Sequence, residues 1–207
     1  MKICRTQCPS ERRNSHHRGK ESSFWMHDPE LIFNELDLKK GEVFLDFGCG
    51  TGDYSIHAAE KIGETGLVYA IDIKKELIDN LVQRTEKAGL ENLIAIVSDA
   101  REQLPFEDKS IDLCLISTVL HTMNLEDAGK TIFTEIGRVL KPGGRLIIIE
   151  CKKEDSKFGP PLSMRISPDE MEEYVYASDF EKSNIVDLGY NYMIKFVSMK
   201  DNSGVHG

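Results

Sequence analysis

The stretch FLDFGCGTGDYS, residues 44–55, places three glycines within five positions directly after an apolar run. Glycine costs backbone entropy on folding, so this spacing indicates that the chain needs unusual backbone angles or close approach to a ligand. A helix that begins here would add free N–H groups facing the same ligand. Gly48, Gly50 and Gly52 are therefore predicted to form a nucleotide-type binding loop.

The residues around these glycines narrow the chemistry of the ligand. A dinucleotide-binding loop has the spacing G-x-G-x-x-G, but here the position of the third glycine is Asp53. The Gly-Lys-Ser/Thr of a phosphate-binding loop is also missing from the stretch. Asp46 would repel a pyrophosphate and suits a ligand that carries positive charge. A nicotinamide oxidoreductase is therefore disfavoured.

Apolar runs rich in Val and Ile alternate with amphipathic helical patterns after residue 41. Nearly continuous apolar runs are typical of strands buried on both faces, and they cover 42–47, 66–73, 92–98, 110–118 and 144–150. The helical stripes consist of Leu77, Ile78, Leu81, Val82 and Ala88, and of Ala128, Ile132, Phe133, Ile136, Val139 and Leu140, with KPGG closing the second. This alternation predicts βαβ units and a parallel sheet covered by helices on both faces.

The C-terminal part of the chain predicts one more helix and a hairpin. Ser167, Pro168 and Glu170 have the spacing of a capping box at a helix start. Two β-rich runs then flank Gly189, Tyr190 and Asn191, as expected for an antiparallel hairpin. The predicted fold is therefore an α/β, seven-stranded, mostly parallel sheet with a C-terminal antiparallel hairpin and a central first strand.

These motifs resemble those of the class I S-adenosylmethionine-dependent methyltransferases over roughly residues 30–200. VFLDFGCGTG resembles the glycine-rich first motif of that family. Asp72, at the end of VYAIDI, matches the acid that holds the ribose hydroxyls, and Asp99 in SDARE matches the acid that faces the adenine amino group. SIDLCLISTVLH and IGRVLKPGGRL resemble the fourth-strand segment and the last strong motif. The five motifs occur in order at predicted strand ends.

The resemblance implies a Rossmann-like fold and S-adenosyl-L-methionine as the cofactor. The implied cofactor-binding residues are Asp46, Gly48, Cys49, Gly50, Asp72, Ile73, Asp99, Ala100 and Ser117. A carboxylate accepts two hydroxyl hydrogen bonds at once, which suits Asp72 to a cis-diol. The structural alternatives are a helix N-cap for Asp72, a turn cap for Asp99 and a clamp on the glycine loop for Asp46.

Methyl transfer from an activated donor requires mainly positioning and the exclusion of water. His121, just past the fourth strand, is predicted to act as a catalytic base or to orient the acceptor, the alternative being a hydrogen-bonded loop histidine. Phe24 and Trp25, followed by Met26, are predicted to form an aromatic lid over the acceptor, the alternative being a hydrophobic staple onto the domain.

The acceptor is predicted to be a small molecule. STVLHT stands where DNA amino-methylating enzymes of this fold carry Asn/Asp-Pro-Pro-Tyr, and the pattern is closest to the branch with quinone-biosynthesis and arsenite enzymes. Glu150 and Cys151 end the fifth strand and point toward the cleft by position. Cys151 could bind trivalent arsenic, but Cys114 lies mid-strand and Cys49 lies in the cofactor loop, so arsenite or thiol methylation is a minor alternative.

Composition agrees with an ordinary globular protein. The net charge is −9, with 40% hydrophobic and 29% charged residues, which argues against nucleic-acid binding. No apolar run approaches the roughly 18 residues of a membrane span, so we expect a cytoplasmic protein without a membrane partner. Five cysteines do not suggest a disulfide framework. Cys4, Cys8, His16 and His17 match no zinc spacing, so no metal site is predicted.

The expected organisation is a basic N-terminal arm over 1–25, a methyltransferase domain over 26–200 and a tail over 201–207. The arm is predicted to be mobile in the free protein and to close over the cleft when cofactor binds; the alternative is a plain disordered leader. A non-catalytic S-adenosylmethionine-binding protein is the alternative function. It is disfavoured because Asp46, Asp72 and Asp99 are all present.

Overall fold

The computed structural model describes residues 22–99, 101–176 and 178–199. The helices are α1 (Pro29–Leu36), α2 (Asp53–Ile62), α3 (Lys75–Ala88), α4 (Leu125–Val139) and α5 (Pro168–Tyr176). The strands are β1 (Val43–Phe47), β2 (Leu67–Asp72), β3 (Leu93–Val97), β4 (Ile111–Ser117), β5 (Leu140–Cys151), β6 (Phe180–Asp187) and β7 (Asn191–Ser198). Short 3₁₀ helices lie at Ser23–Met26, Leu120–Thr122 and Leu162–Met164.

The strands form one seven-stranded sheet in the order β3-β2-β1-β4-β5-β7-β6. The first five strands are parallel, and β7 pairs antiparallel with both β5 and β6. The predicted fold is therefore confirmed, including the hairpin and the central position of β1. Strand order reverses between β1 and β4, and ligands of open α/β sheets bind at such a point.

Helices cover both faces of the sheet, as the continuous apolar strands predicted. The face covered by α1, α2 and α3 buries a cluster that includes Phe33, Ala58 and Leu81. The opposite face, covered by α4 and α5, buries a cluster that includes Phe133 and Val175. Successive side chains of a strand point to opposite faces of the sheet, so the two clusters pack against the same strands from either side.

The capping box and the helix stripes are present with small differences. The Ser167 amide donates to Glu170 Oε2 at 2.7 Å and the Glu170 amide donates to Ser167 Oγ at 3.3 Å. In α3, Val82 is 37% exposed, so it lies at the border of the buried stripe rather than within it. Leu140 adopts extended backbone angles and begins β5, whereas the stripe placed it in the helix.

Strand β5 therefore begins four residues earlier than the predicted start at 144. Leu140 pairs with Ile111, and the register then jumps to Arg145 opposite Leu113. KPGG lies in this irregular stretch, where glycine and proline interrupt regular pairing without ending the strand.

Most of the predicted N-terminal arm, with Cys4, Cys8, His16 and His17, lies outside the described residues, as does the 201–207 tail. The described part begins at Ser22, whose hydroxyl accepts a hydrogen bond from the Phe24 amide. Among the described helices, none has both the length and the apolar character required to cross a membrane.

Candidate cofactor and acceptor site

The glycine-rich loop connects β1 to α2 and has three glycines at positive φ: Gly48 at 72°, Gly50 at 55° and Gly52 at 77°. The amides of Gly48 and Cys49 both donate to the Ile71 carbonyl, at 2.8 and 2.9 Å, and so tie the loop to the end of β2. L-residues with side chains rarely adopt these angles, which accounts for glycine at each position.

Only one of the three glycines faces open space. A Cβ added at Gly48 would lie 2.6 Å from Cγ2 of Val119, and one added at Gly52 would lie 2.4 Å from Cδ1 of Leu81. A Cβ at Gly50 would meet no atom within 4 Å. The space that the sequence pattern indicated is thus filled by the protein's own side chains at Gly48 and Gly52, and is open at Gly50.

Asp72 ends β2 and connects the glycine loop to the start of α3. Its Oδ2 accepts the Gly50 amide at 3.0 Å, and its Oδ1 accepts the Lys74 amide at 2.8 Å. A carboxylate has about four acceptor positions, so Asp72 keeps two for a ligand. Asp72 can therefore accept the backbone amides near the start of α3 and still bind ligand hydroxyl groups.

Asp46 is a buried carboxylate at the end of β1, 2% exposed. Ser55, in the first turn of α2, donates its hydroxyl to Asp46 Oδ2 at 2.5 Å. Burial raises the pKa of Asp46 to about 7, against the hydrogen bonds from Ser55, and the neighbouring Asp72 and Asp53 carboxylates add to the rise. Within the described residues Asp46 forms no ion pair.

Arg84 of α3 holds the glycine loop from outside, a role that the sequence pattern did not reveal. Its guanidinium donates to Asp53 Oδ1 at 2.8 Å and to the Thr51 carbonyl. The Thr51 hydroxyl in turn donates to Asp53 Oδ2 at 2.7 Å. Because Arg84 is about thirty residues away in the chain, no local spacing signals this contact.

A cavity of about 760 Å³ opens over the carboxyl ends of β1, β2 and β4, a size typical of small-molecule sites. Eight of the predicted cofactor-binding residues line it: Asp46, Gly48, Cys49, Gly50, Asp72, Ile73, Asp99 and Ser117. The ninth, Ala100, lies outside the described residues. Tyr54, Leu77, Ser98 and Arg101 also line the cavity and were missed by the sequence patterns.

Asp99 lies in the cavity wall after β3 but is paired with Arg101. The guanidinium contacts Asp99 Oδ2 at 2.6 Å and Oδ1 at 2.9 Å. These hydrogen bonds, together with one from the Arg101 amide, lower the pKa of Asp99 to about 2. Contact of Asp99 with an adenine amino group stays a prediction. The Arg101 guanidinium would compete with that amino group for the Asp99 carboxylate.

The predicted acceptor residues do not form part of the cavity wall. Phe24 is buried against Tyr54 and His57, with ring centroids 5.0 and 4.5 Å away, which is the staple arrangement. Trp25 is 64% exposed. From this 3₁₀ helix it is Ser23 that reaches the wall, with its hydroxyl 3.1 Å from Ser117 Oγ.

Neither Cys151 nor His121 is among the residues that line the cavity. Cys151 is 7% exposed at the end of β5, and burial raises the pKa of its thiol. His121 lies in the Leu120–Thr122 turn, where its Nδ1 is 2.8 Å from Oε2 of Glu150. In the described residues no cluster of three or more His, Cys, Asp or Glu side chains is arranged to hold a metal ion.

The cavity fits a cationic nucleoside ligand. Asp46 presents a buried carboxylate without a cationic partner in the described part of the chain, and such a group favours a positively charged ligand atom. Open space beside Gly50 allows backbone contact, and Asp72 has free acceptor positions. Together with the sheet topology, this fits the S-adenosylmethionine-dependent methyltransferase class of α/β proteins.

Comparisons with known proteins agree with this class. The methyltransferase domain family matches residues 38–189. A demethylmenaquinone methyltransferase of Oceanobacillus iheyensis is 30% identical over 185 residues, which cover 82% of this chain and 76% of the relative. One from Staphylococcus aureus is 36% identical over 122 residues, 59% of this chain and about half (48%) of that enzyme. A SAM-dependent methyltransferase structure from Aquifex aeolicus has a TM-score of 0.78 at 28% identity, covering 85% of this chain and 92% of its own.

The chain belongs to the methyltransferase domain family. It is an S-adenosylmethionine-dependent methyltransferase of the small-molecule type, and S-adenosylmethionine is its cofactor.

Proposed function

We propose that the methyl acceptor is a hydroxyl-bearing aromatic ring of the quinone type, methylated in its reduced form. The observation that carries this proposal is the uncharged cavity wall between β4 and α4. From the end of β4 to the residue before α4, its lining residues are Ser117, Thr118, Val119, Thr122, Met123 and Asn124, and Asp127 of α4 lines the cavity beyond them. The segment between β4 and α4 offers apolar contact, hydroxyl groups and an amide but no charged side chain, and the Asp127 carboxylate next to it accepts a hydrogen bond from Asn124. This lining favours a neutral planar acceptor over a charged one.

The relatives support the same acceptor class. The two curated relatives described above are both named demethylmenaquinone methyltransferases. The match to the Oceanobacillus iheyensis enzyme includes most of this chain, so its acceptor is the first to test. A reduced quinone ring is rich in electrons, and removal of a hydroxyl proton makes the adjacent ring carbon nucleophilic.

We assign the cofactor contacts as follows. Asp46 accepts hydrogen bonds from the positively charged amino group, Asp72 accepts from the ribose hydroxyls, and Asp99 faces the adenine amino group. When bound, S-adenosylmethionine supplies an electrophilic methyl carbon, and the electron pair of the broken C–S bond stays on sulfur. The protein then has to align the acceptor carbon with that methyl group and keep water away.

Arsenite methylation is not favoured by the described thiols. Cys114 and Cys151 are buried, and burial raises the pKa of both. Cys49 is also buried, and desolvation together with the nearby Asp46 and Asp72 carboxylates raises its pKa further. Because the thiolate is the form that binds soft metals, these environments oppose arsenic binding.

A transfer assay with methyl-labelled S-adenosylmethionine tests the acceptor. The panel contains a reduced naphthoquinone that lacks the ring methyl group and carries a short isoprenoid tail, a simple catechol, and arsenite with a thiol. We expect label in the naphthoquinol and little in the others. S-adenosylhomocysteine binding is measured in parallel by calorimetry. Normal cofactor binding with label in arsenite or catechol instead of the naphthoquinol would overturn the acceptor assignment.

A further inference from the structure

Glu150 is a buried carboxylate that contacts the turn between β4 and α4. It ends the apolar part of β5 and is 1% exposed. Its Oε1 accepts the amides of Leu120 at 2.8 Å and His121 at 3.3 Å. Its Oε2 is 2.8 Å from Nδ1 of His121. One carboxylate thus binds both the backbone of the turn and the imidazole that the turn carries.

The contact fixes which nitrogen of His121 carries the hydrogen. A carboxylate whose Oε1 already receives two N–H groups is set up as an acceptor, so the hydrogen in the third contact lies on Nδ1. In the neutral imidazole, Nε2 then has a free lone pair. Nε2 forms no hydrogen bond within the described residues, and the side chain of His121 is 14% exposed. The imidazole therefore presents an unprotonated nitrogen away from Glu150.

The turn that carries His121 borders the cavity on the side proposed for the acceptor. Val119 and Thr122, on either side of the Leu120–His121 pair, both line the cavity wall. Leu120 is fully buried and anchors the turn in the core. His121 is therefore held at the rim of the uncharged wall by contacts on its backbone and on its ring.

The geometry points to Glu150 as a positioning residue that makes His121 a general base for the acceptor hydroxyl. This assignment rests on the proposed function, because it requires an acceptor with an ionisable hydroxyl group. Nε2 takes the hydroxyl proton as the ring carbon forms its bond to the methyl group, and Glu150 stabilises the resulting imidazolium. The displaced ring hydrogen leaves to water as a proton, and the imidazolium returns its proton to the ring oxygen, so one proton is released per turnover.

Glu150→Gln separates the positioning role from the role in holding the turn. The glutamine carbonyl can still accept the Leu120 and His121 amides, but its NH₂ group now faces Nδ1. Nδ1 must then accept, and the hydrogen moves to Nε2, where it removes the base. We expect kcat to fall about 100-fold or more, as for loss of a general base, with S-adenosylhomocysteine affinity within about threefold of wild type. His121→Gln should lower kcat to a similar extent.

Glu135→Gln is the matched control. Glu135 also accepts a backbone amide from a loop, that of Leu104 at 3.0 Å, and is paired with Arg138 on α4, outside the cavity wall. Replacing it tests whether loss of a carboxylate that supports a loop is enough to reduce turnover. We expect its kcat to stay near the wild-type value.

Nitrogen-15 NMR of the imidazole reports the tautomer in the free protein and needs no acceptor. The expected result is hydrogen on Nδ1 of His121 in wild type and on Nε2 in Glu150→Gln. Hydrogen on Nε2 in wild type, or unchanged kcat in Glu150→Gln, would overturn the positioning role. If wild type has the expected tautomer but methylates no hydroxylated ring, the proposed acceptor fails, and the base assigned to His121 fails with it.

Discussion

Asp46 carries a charge that the fold opposes. Its pKa is about 7 in the folded protein, against an ordinary value of 3.8, so the folded state binds this proton more tightly than the unfolded chain does. The stabilisation is complete below about pH 4 and is lost as pH rises through 7. A shift of about three units corresponds to roughly 4 kcal/mol. In its proposed ligand-binding role, this carboxylate lowers the stability of the free protein at pH values above its pKa.

Asp46→Asn should separate these two effects. At pH 8 the variant should be more stable than wild type by up to about 4 kcal/mol, since no buried charge remains. At pH 3.5, below the pKa of Asp46 in both the folded and the unfolded state, the two should be similar. Urea unfolding at both pH values measures the difference, and calorimetry should show S-adenosylmethionine affinity reduced by about 10- to 100-fold. Equal stability of the two proteins at pH 8 would contradict the assigned pKa.

Asp72→Ala tests the ribose contact. The change removes a charged acceptor, and hydrogen bonds to charged groups contribute roughly 1.5–3 kcal/mol, so affinity for S-adenosylmethionine should fall about 10- to 100-fold. Part of the loss will come from the Gly50 and Lys74 amides, which lose their acceptor. Asp79→Ala, in an exposed pair with Lys75 on α3, is the control. An unchanged dissociation constant in folded Asp72→Ala would show that the site is wrongly assigned.

At the scale of the elements, the sequence predicted most of the fold. Continuous apolar runs rich in Val and Ile identified the strands, because the strands of a parallel sheet are buried on both faces. The start of β5 was missed because KPGG has the composition of a helix end, and its pairing with β4 is a tertiary contact. The same limit applies to the site. The strand-end acids follow from local pattern, whereas Arg84 on the glycine loop and Glu150 on His121 are long-range contacts.

Gly52→Ala should show how tightly α3 packs against the glycine loop. Alanine at this left-handed position would collide with the fully buried Leu81. We expect a loss of about 2–4 kcal/mol in unfolding free energy. Gly89→Ala is the matched control, because Gly89 has similar backbone angles (φ 66°, ψ 29°) but open space around its Cβ position. Its loss should be about 1–2 kcal/mol. Equal losses would rule out the packing contribution.

For the whole molecule, the proposed cofactor contact of Asp46 makes cofactor binding and folding depend on the same buried carboxylate. At a free ligand concentration 100 times its dissociation constant, S-adenosylhomocysteine should add about 2.7 kcal/mol to stability, a rise in Tm of about 5–10 °C. At one fixed ligand concentration the rise should be larger at pH 8 than at pH 6, because ionised Asp46 binds the ligand's amino group better. Thermal unfolding checks this, and Asp46→Asn should abolish the pH difference. A pH-independent shift in wild type would contradict it.

The contact between Gly48 and Val119 joins the two halves of the cavity. Val119 fills the space beside Gly48 that a side chain would need, and it lies two residues before His121 on the acceptor side. The glycine-rich loop, which is proposed to bind the cofactor, therefore packs against the turn that is proposed to face the acceptor. Occupancy of one should change affinity for the other, and by reciprocity the effect is the same in both directions. The affinities of this enzyme for its two substrates should thus be coupled.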